Sequence, residues 1–164
     1  MGVQSLLMGL TIRPTRKEDW PAIARLLVQI AALHAELRPD VYRPARKYDQ
    51  KQYNKLLKDR EKPILVAVDA RGEVLGYAMC QIVRRRGIPV LVERSYLYVD
   101  DLCVDENCRG QGIGELLMQA VTDLARELGL RKIQLSVNEH NEGARKFYER
   151  LGYTTQARQL EIDL

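Results

Sequence analysis

Apolar positions along the chain follow two periods, and the switches between them mark the elements. "LTIRP", from Leu10, alternates and is rich in β-formers, which predicts a first strand. In "TRKEDWPAIARLLVQIAALHAEL" the period lengthens: Ile23, Leu26, Leu27, Ile30 and Leu33 recur at helical spacing. Thr15 with Glu18 makes a capping box at its start, or Asp19 caps it with Pro21 in the first turn. "RPDVYRPARKYDQ" is a polar, proline-bearing loop, and "QKQYNKLLKDR" reads as a short amphipathic helix.

"PILVAVDARGEVLGYAMCQIV" then returns to β-rich runs about a turn at Ala70 to Glu73, with Gly72 free to take a positive φ. "SYLYVDDLCV" is a further strand carrying two adjacent aspartates. From about Ile113 to Leu128 an unbroken stripe follows: Ile113, Leu116, Leu117, Ala120, Val121, Leu124, Ala125 and Leu128, closed by Gly129. "RKIQLSV" is a strand, "NEGARKFYERL" a short helix stopped by Gly152, and "YTTQARQLEIDL" two short final strands. The predicted order β-α-α-β-β-β-α-β-α-β-β is a mixed α/β layer.

Composition narrows the class. A chain of 164 residues suits one domain over 1–164, and no linker divides it. No apolar run nears the ~20 residues of a membrane span. Residues 1–9 read as a loose leader: "MGVQSLLMGL" lacks the basic region of a signal peptide, and Leu6 breaks the myristoylation pattern after Gly2. The net charge of +4 is spread, with one dense run at Arg84 to Arg86 that reads as a solvated hairpin end, so neither nucleic acid nor membrane is an expected partner. Cys80, Cys103 and Cys108 form no CxxC pair, as expected of buried thiols in a reducing cytoplasm. His34 and His140 lie far apart in sequence, and no metal site is expected.

The chemistry concentrates in "CVDENCRGQGIGELLMQAV". Gly110, Gly112 and Gly114 follow Arg109 at the entrance to the apolar stripe. A helix start offers unpaired N–H groups and a positive dipole end, which suit a phosphate. The dinucleotide fingerprint fails, because Glu115 stands where its third glycine belongs; the Walker loop fails, because Gly114 is followed by Glu115 and Leu116. A ligand-free turn needs one glycine rather than three, each of which weakens a helix by about 1 kcal/mol relative to Ala.

R-x-x-G-x-G, here Arg109, Gly112 and Gly114 between a strand and a long amphipathic helix, resembles the pyrophosphate-binding motif of the GCN5-related N-acetyltransferases (GNAT). "NEHNEGARKFYERLGY" is similar to the family's later motif, with Asn141, Ala144, Tyr148 and Gly152-Tyr153, and the "IRP" strand and its following helix resemble the family's start. The resemblance runs from about Leu10 to Ile162. It implies a central, mostly antiparallel twisted sheet of about 6–7 strands, splayed between the fourth and fifth and flanked by helices on both faces. It also implies acetyl-CoA as co-substrate and an amine acceptor, and leaves a homodimer open.

Residue roles follow from the same resemblance. N–H groups from Gly110 through Gln111, Gly112, Ile113 and Gly114 to Glu115 would cradle the pyrophosphate. Leu102, Cys103 and Val104 would pair with the pantetheine amides as a strand edge does. Asn141 would contact the pantetheine, cap its helix, or do both. Tyr148 would protonate or hydrogen-bond the departing thiolate, unless it is a core tyrosine. Some members place a basic Glu where this chain has Ser136, which cannot serve. Others use an acidic residue nine positions before the loop Arg, here Asp100, with Asp101 as rival. In regular alternation the two face opposite sides unless a bulge intervenes. Cys103 reads as a core or wall residue, since transfer to an amine needs no covalent nucleophile. A non-catalytic acyl-CoA-binding module is the alternative class, and a nucleotide-binding regulator a third. "LHAELRPDVYRPARKYDQ" should line the acceptor site without revealing whether a small amine, a polyamine or a protein N-terminus binds there.

Overall fold

The computed structural model describes residues 9–164; the expected leader lies outside them apart from Gly9. Strand β1 (Thr11–Pro14) leads through a 3₁₀ turn (Lys17–Asp19) into α1 (Trp20–Leu37), and α2 (Gln50–Leu56) follows. Then come β2 (Ile64–Val68), β3 (Val74–Arg85), β4 (Arg94–Val104), a second 3₁₀ turn (Glu106–Cys108), α3 (Ile113–Glu127), β5 (Ile133–Leu135) and α4 (Glu142–Arg150). The strands form one sheet in the order β1-β2-β3-β4-β5. The first three pairings are antiparallel and the last is parallel.

Helices cover both faces, which explains why all five residues of β2 are buried. Leu65 and Ala67 point to a core shared with Ile113, Leu117 and Val121 of α3, while Ile64, Val66 and Val68 pack with Ile23, Leu26 and Leu27 of α1. A chain alternating between two apolar layers must be apolar at every position.

Two irregularities set the course of β4 and leave one of its edges free. Met79 pairs with Asp101 and Cys80 with Val99, so Asp100 is an extra residue in β4, a β-bulge. The bulge reverses the parity of the strand. Val99 joins the α3 layer and Cys103, four residues on, joins the α1 layer, although a regular strand would put both on one face. Second, β5 pairs with β4 only from Leu97↔Ile133 to Val99↔Leu135. Beyond Val99 the two strands part, as the expected splay requires.

Several expectations need correction. The described residues form five strands rather than six or seven, because 153–164 forms no strand. Leu160, Ile162 and Leu164 alternate as a strand would, but they are 89%, 83% and 117% exposed and meet no layer to bury them. The strand read in "RKIQLSV" shortens to Ile133–Leu135, since its neighbour diverges there. No Thr15–Glu18 box forms, nor does Asp19 cap α1. Instead the Asp19 carboxylate turns back to accept from Arg13 (2.8 and 2.9 Å) and from the Arg16 N–H (2.7 Å), and Thr15 meets the Tyr53 hydroxyl at 2.6 Å. That bidentate arginine holds Asp19 below the usual carboxylate range. Leu116 and Leu128 leave the expected stripe for solvent. Their place is taken by Met118, which is buried.

Candidate active site

At the end of β4 the chain is fastened before it turns. Asp105 is buried, accepts from the Asn107 N–H at 3.0 Å and pairs with Arg25 of α1. Arg109 donates through Nε to the Val104 carbonyl at 3.2 Å, so the loop arginine braces the strand end. Gly110 and Gly112 then sit at φ +74° and +82°, where a side chain would be strained. Gly112 is the residue before α3 and no side chain caps that helix. The N–H groups of Ile113, Gly114 and Glu115 therefore have no partner within the helix and carry its positive end. The side-chain oxygen of Gln111 is buried beside them without a hydrogen bond among the described residues. Gly114 has a further reason to lack a side chain: a Cβ there would stand 3.3 Å from the Phe147 ring of α4.

From this cradle the free edge of β4 runs back toward the bulge. Val104, Cys103, Leu102 and Asp101 all lie beyond the last pairing with β5. The edge is therefore open to a guest that pairs as a strand, which is what a chain of amides can do. Cys103 itself turns to the α1 layer, its thiol donating to the Leu26 carbonyl at 3.5 Å. Burial pushes that thiol up to about 12, and Cys80 likewise to about 12.

Tyr148 lies on α4, the helix that follows β5. Asn141 caps α4 by accepting from the Ala144 N–H at 3.1 Å. Two turns on, the Tyr148 ring packs edge-on against Phe147 (5.0 Å between centroids) and Tyr153 (5.6 Å), bordering the α3-side core. Its hydroxyl makes no hydrogen bond among the described residues. Burial raises its pKa, with Tyr153, Asp101 and Cys80 adding to the effect, so the phenol stays protonated at neutral pH.

The bulge answers the question of the two aspartates. Asp101 is buried and accepts from the Tyr77 hydroxyl at 2.8 Å. Asp100 is partly exposed and accepts from Lys47 Nζ at 2.6 Å. Tyr77 belongs to the α1-side core and Lys47 to the segment between α1 and α2, so both carboxylates look toward α1. Burial raises the Asp101 pKa; the Tyr77 hydrogen bond, Lys47 and His34 oppose that rise without cancelling it. Neither Tyr77 nor Lys47 was legible as a site residue. Each meets its aspartate across more than twenty residues of sequence, and no local pattern announces such a pairing. Among the described residues no cluster of metal-ligating side chains occurs, and no helix is long and apolar enough to cross a membrane.

These features have a family. Residues 27–153 match the acetyltransferase (GNAT) family, and the chain belongs to it. It is 28% identical over 93% of its length to an uncharacterized N-acetyltransferase of Methanocaldococcus jannaschii, covering 64% of that protein. An L-methionine sulfoximine/L-methionine sulfone acetyltransferase of Pseudomonas aeruginosa is 39% identical over 56% of the chain and 50% of its own length. The chain thus spans half to two-thirds of these relatives. The crystal structure of a tetramutant of the BH1408 protein of Bacillus halodurans superposes with a TM-score of 0.89 at 30% identity, covering 94% of this chain and 99% of that one.

Proposed function

We propose that this chain transfers the acetyl group of acetyl-CoA to a primary amine by direct attack in a ternary complex. One observation carries the reading: the open β4 edge links an uncapped helix start at one end to a phenol and two carboxylates at the other. Strand rise of ~3.3 Å per residue puts Asp100 ~13 Å back from Val104, a span suited to an extended pantetheine arm. The N–H groups at Ile113 to Glu115 would hold the pyrophosphate, with Arg109 fixing the loop.

Within that frame Asp100, exposed and on the bulge, collects the ammonium of the acceptor and takes its proton. Asp101 lies behind it and keeps the pocket acidic. Backbone N–H groups of the free β4 edge polarise the thioester carbonyl as it gains charge. The Tyr148 hydroxyl, protonated and without a partner among the described residues, donates to the sulfur as negative charge develops there. Asn141 caps α4 and would also contact the pantetheine. No thiolate intermediate is needed, and Cys80 and Cys103, with pKa values near 12, are unsuited to forming one at neutral pH. The three free cysteines fit a reducing cytoplasm.

The Pseudomonas relative acetylates L-methionine sulfoximine and L-methionine sulfone, which favours starting the acceptor search with amino-acid amines. Thiol release from acetyl-CoA, measured against amino acids, polyamines, amino sugars and peptides, tests the reading. Turnover with any primary amine supports it. Acetyl-CoA binding without turnover across the panel would favour the non-catalytic acyl-CoA-binding module.

A further inference from the structure

The protein already presents one primary amine to its own acidic pair. Lys47 Nζ lies 2.6 Å from Asp100 Oδ2 and near enough to Asp101 for the second carboxylate to act on it. It stands 5.4 Å from the centroid of the Tyr48 ring, in contact by its cation with an aromatic face. Lys51, Lys55 and Lys58, which follow on and just after α2, are exposed and make no contact with Asp100 or Asp101. Burial works to lower the Lys47 pKa, but the hydrogen bond and charge of Asp100 outweigh it and hold the ammonium form. An acceptor amine would arrive in that same state, as an ammonium on Asp100. Lys47 therefore stands where the acceptor must stand.

We infer that Lys47 is a tethered acceptor and that the chain acetylates it in cis, an inference that rests on the acetyl-CoA reading. In the step, one ammonium proton passes to Asp100 and on to solvent, leaving a neutral amine. Nζ forms an N–C bond to the thioester carbonyl carbon, and the C–S bond breaks. The second proton lost from nitrogen as the amide forms ends on the leaving sulfur by way of the Tyr148 hydroxyl. The products are Nζ-acetyl-Lys47 and coenzyme A. The amide carries no charge and cannot pair with Asp100, so the reaction frees that carboxylate and occurs once per chain.

The test is incubation of the folded chain with trideuteroacetyl-CoA and no added amine, followed by peptide mass spectrometry. Rates are taken on the fraction of each lysine unmodified at the start. An amine held at the reacting centre has a large effective concentration. Lys47 should therefore acquire label at least roughly tenfold faster than Lys51, Lys55 or Lys58, at a first-order rate independent of protein concentration. Asp100→Asn should remove that preference, and unfolding in guanidinium should make all four lysines alike. Labelling of Lys47 no faster than its neighbours, or at a rate proportional to protein concentration, overturns the inference. Calorimetry on the same preparation separates the two readings. Acetyl-CoA binding without selective labelling sinks self-acetylation alone, whereas absence of binding sinks both.

Discussion

Tyr148 carries the sharpest residue-level claim. Its ring is fixed by Phe147 and Tyr153 while its hydroxyl is unengaged among the described residues, so Tyr148→Phe leaves the packing and removes a single donor. Turnover should fall by roughly 10²-fold with acetyl-CoA affinity unchanged, as for loss of a general acid. Near-normal steady-state kinetics would return the residue to a packing role. Asp100→Asn should cost turnover most at lower pH, where the acceptor is most fully protonated. If Asp101→Asn behaves that way and Asp100→Asn does not, the deeper carboxylate is the base. Asp101 also makes a stability claim. Burial raises its folded pKa above the ~3.9 of an unfolded aspartate, so its contribution to stability is full below about pH 4 and is lost as pH climbs through the folded value. Asp101→Asn keeps an acceptor for Tyr77 and never ionises. The variant should be more stable than the wild type at pH 8 in denaturant titrations, and the two should converge near pH 4. Equal midpoints at pH 8 would contradict this.

Among the elements, β4 is held to β3 by a glycine. A Cβ on Gly76 would lie 2.8 Å from the Cys103 carbonyl oxygen and 3.2 Å from Leu117 Cδ1. Gly76→Ala must therefore push β4 or α3 outward, costing about 1–3 kcal/mol and disturbing the edge proposed to take the co-substrate. A rise in KM for acetyl-CoA together with a lowered Tm is expected; an unchanged KM would place the co-substrate elsewhere. Such close approaches are invisible in a sequence, whereas the helices and the hairpin were plain. Ile23, Leu26 and Leu27, or Ile113, Leu117 and Val121, declare a face by spacing alone, and Gly72 declares its turn. The bulge at Asp100 gave no such signal, because the apolar run around it continues through the change of parity. The final strands failed for a related reason. Leu160, Ile162 and Leu164 have the alternation of a strand, but alternation does not supply the neighbouring edge that a strand requires. The glycine loop and Tyr148 could be named as candidates because their spacing is local; Lys47 and Tyr77 could not, because only the folded sheet brings them to the aspartates.

The whole molecule is one sheet between two helical layers, and the parting of β4 from β5 is where the layers communicate. α3 brings the glycine-loop helix start and α4 the Tyr148 phenol from one side, while on the other β4 turns Asp100 and Asp101 toward α1 and the segment after it, where Lys47 meets Asp100. In the proposed reaction such a slot would let both substrates meet without either passing through a covalent enzyme intermediate. The proposed chemistry requires acetyl-CoA to lie along β4 with its pyrophosphate on the loop. Titration calorimetry of acetyl-CoA against the wild type and Gly112→Asp measures that placement. The substituted carboxylate adds a negative charge at the residue before α3, a position whose φ of +82° costs an L residue roughly 1–2 kcal/mol, which a folded domain tolerates. One-to-one binding to the wild type, weakened at least about 100-fold (about 2.7 kcal/mol) in a variant with native circular dichroism, is the predicted result. Equal affinity in a folded Gly112→Asp would remove the co-substrate from this loop and contradict the proposed placement.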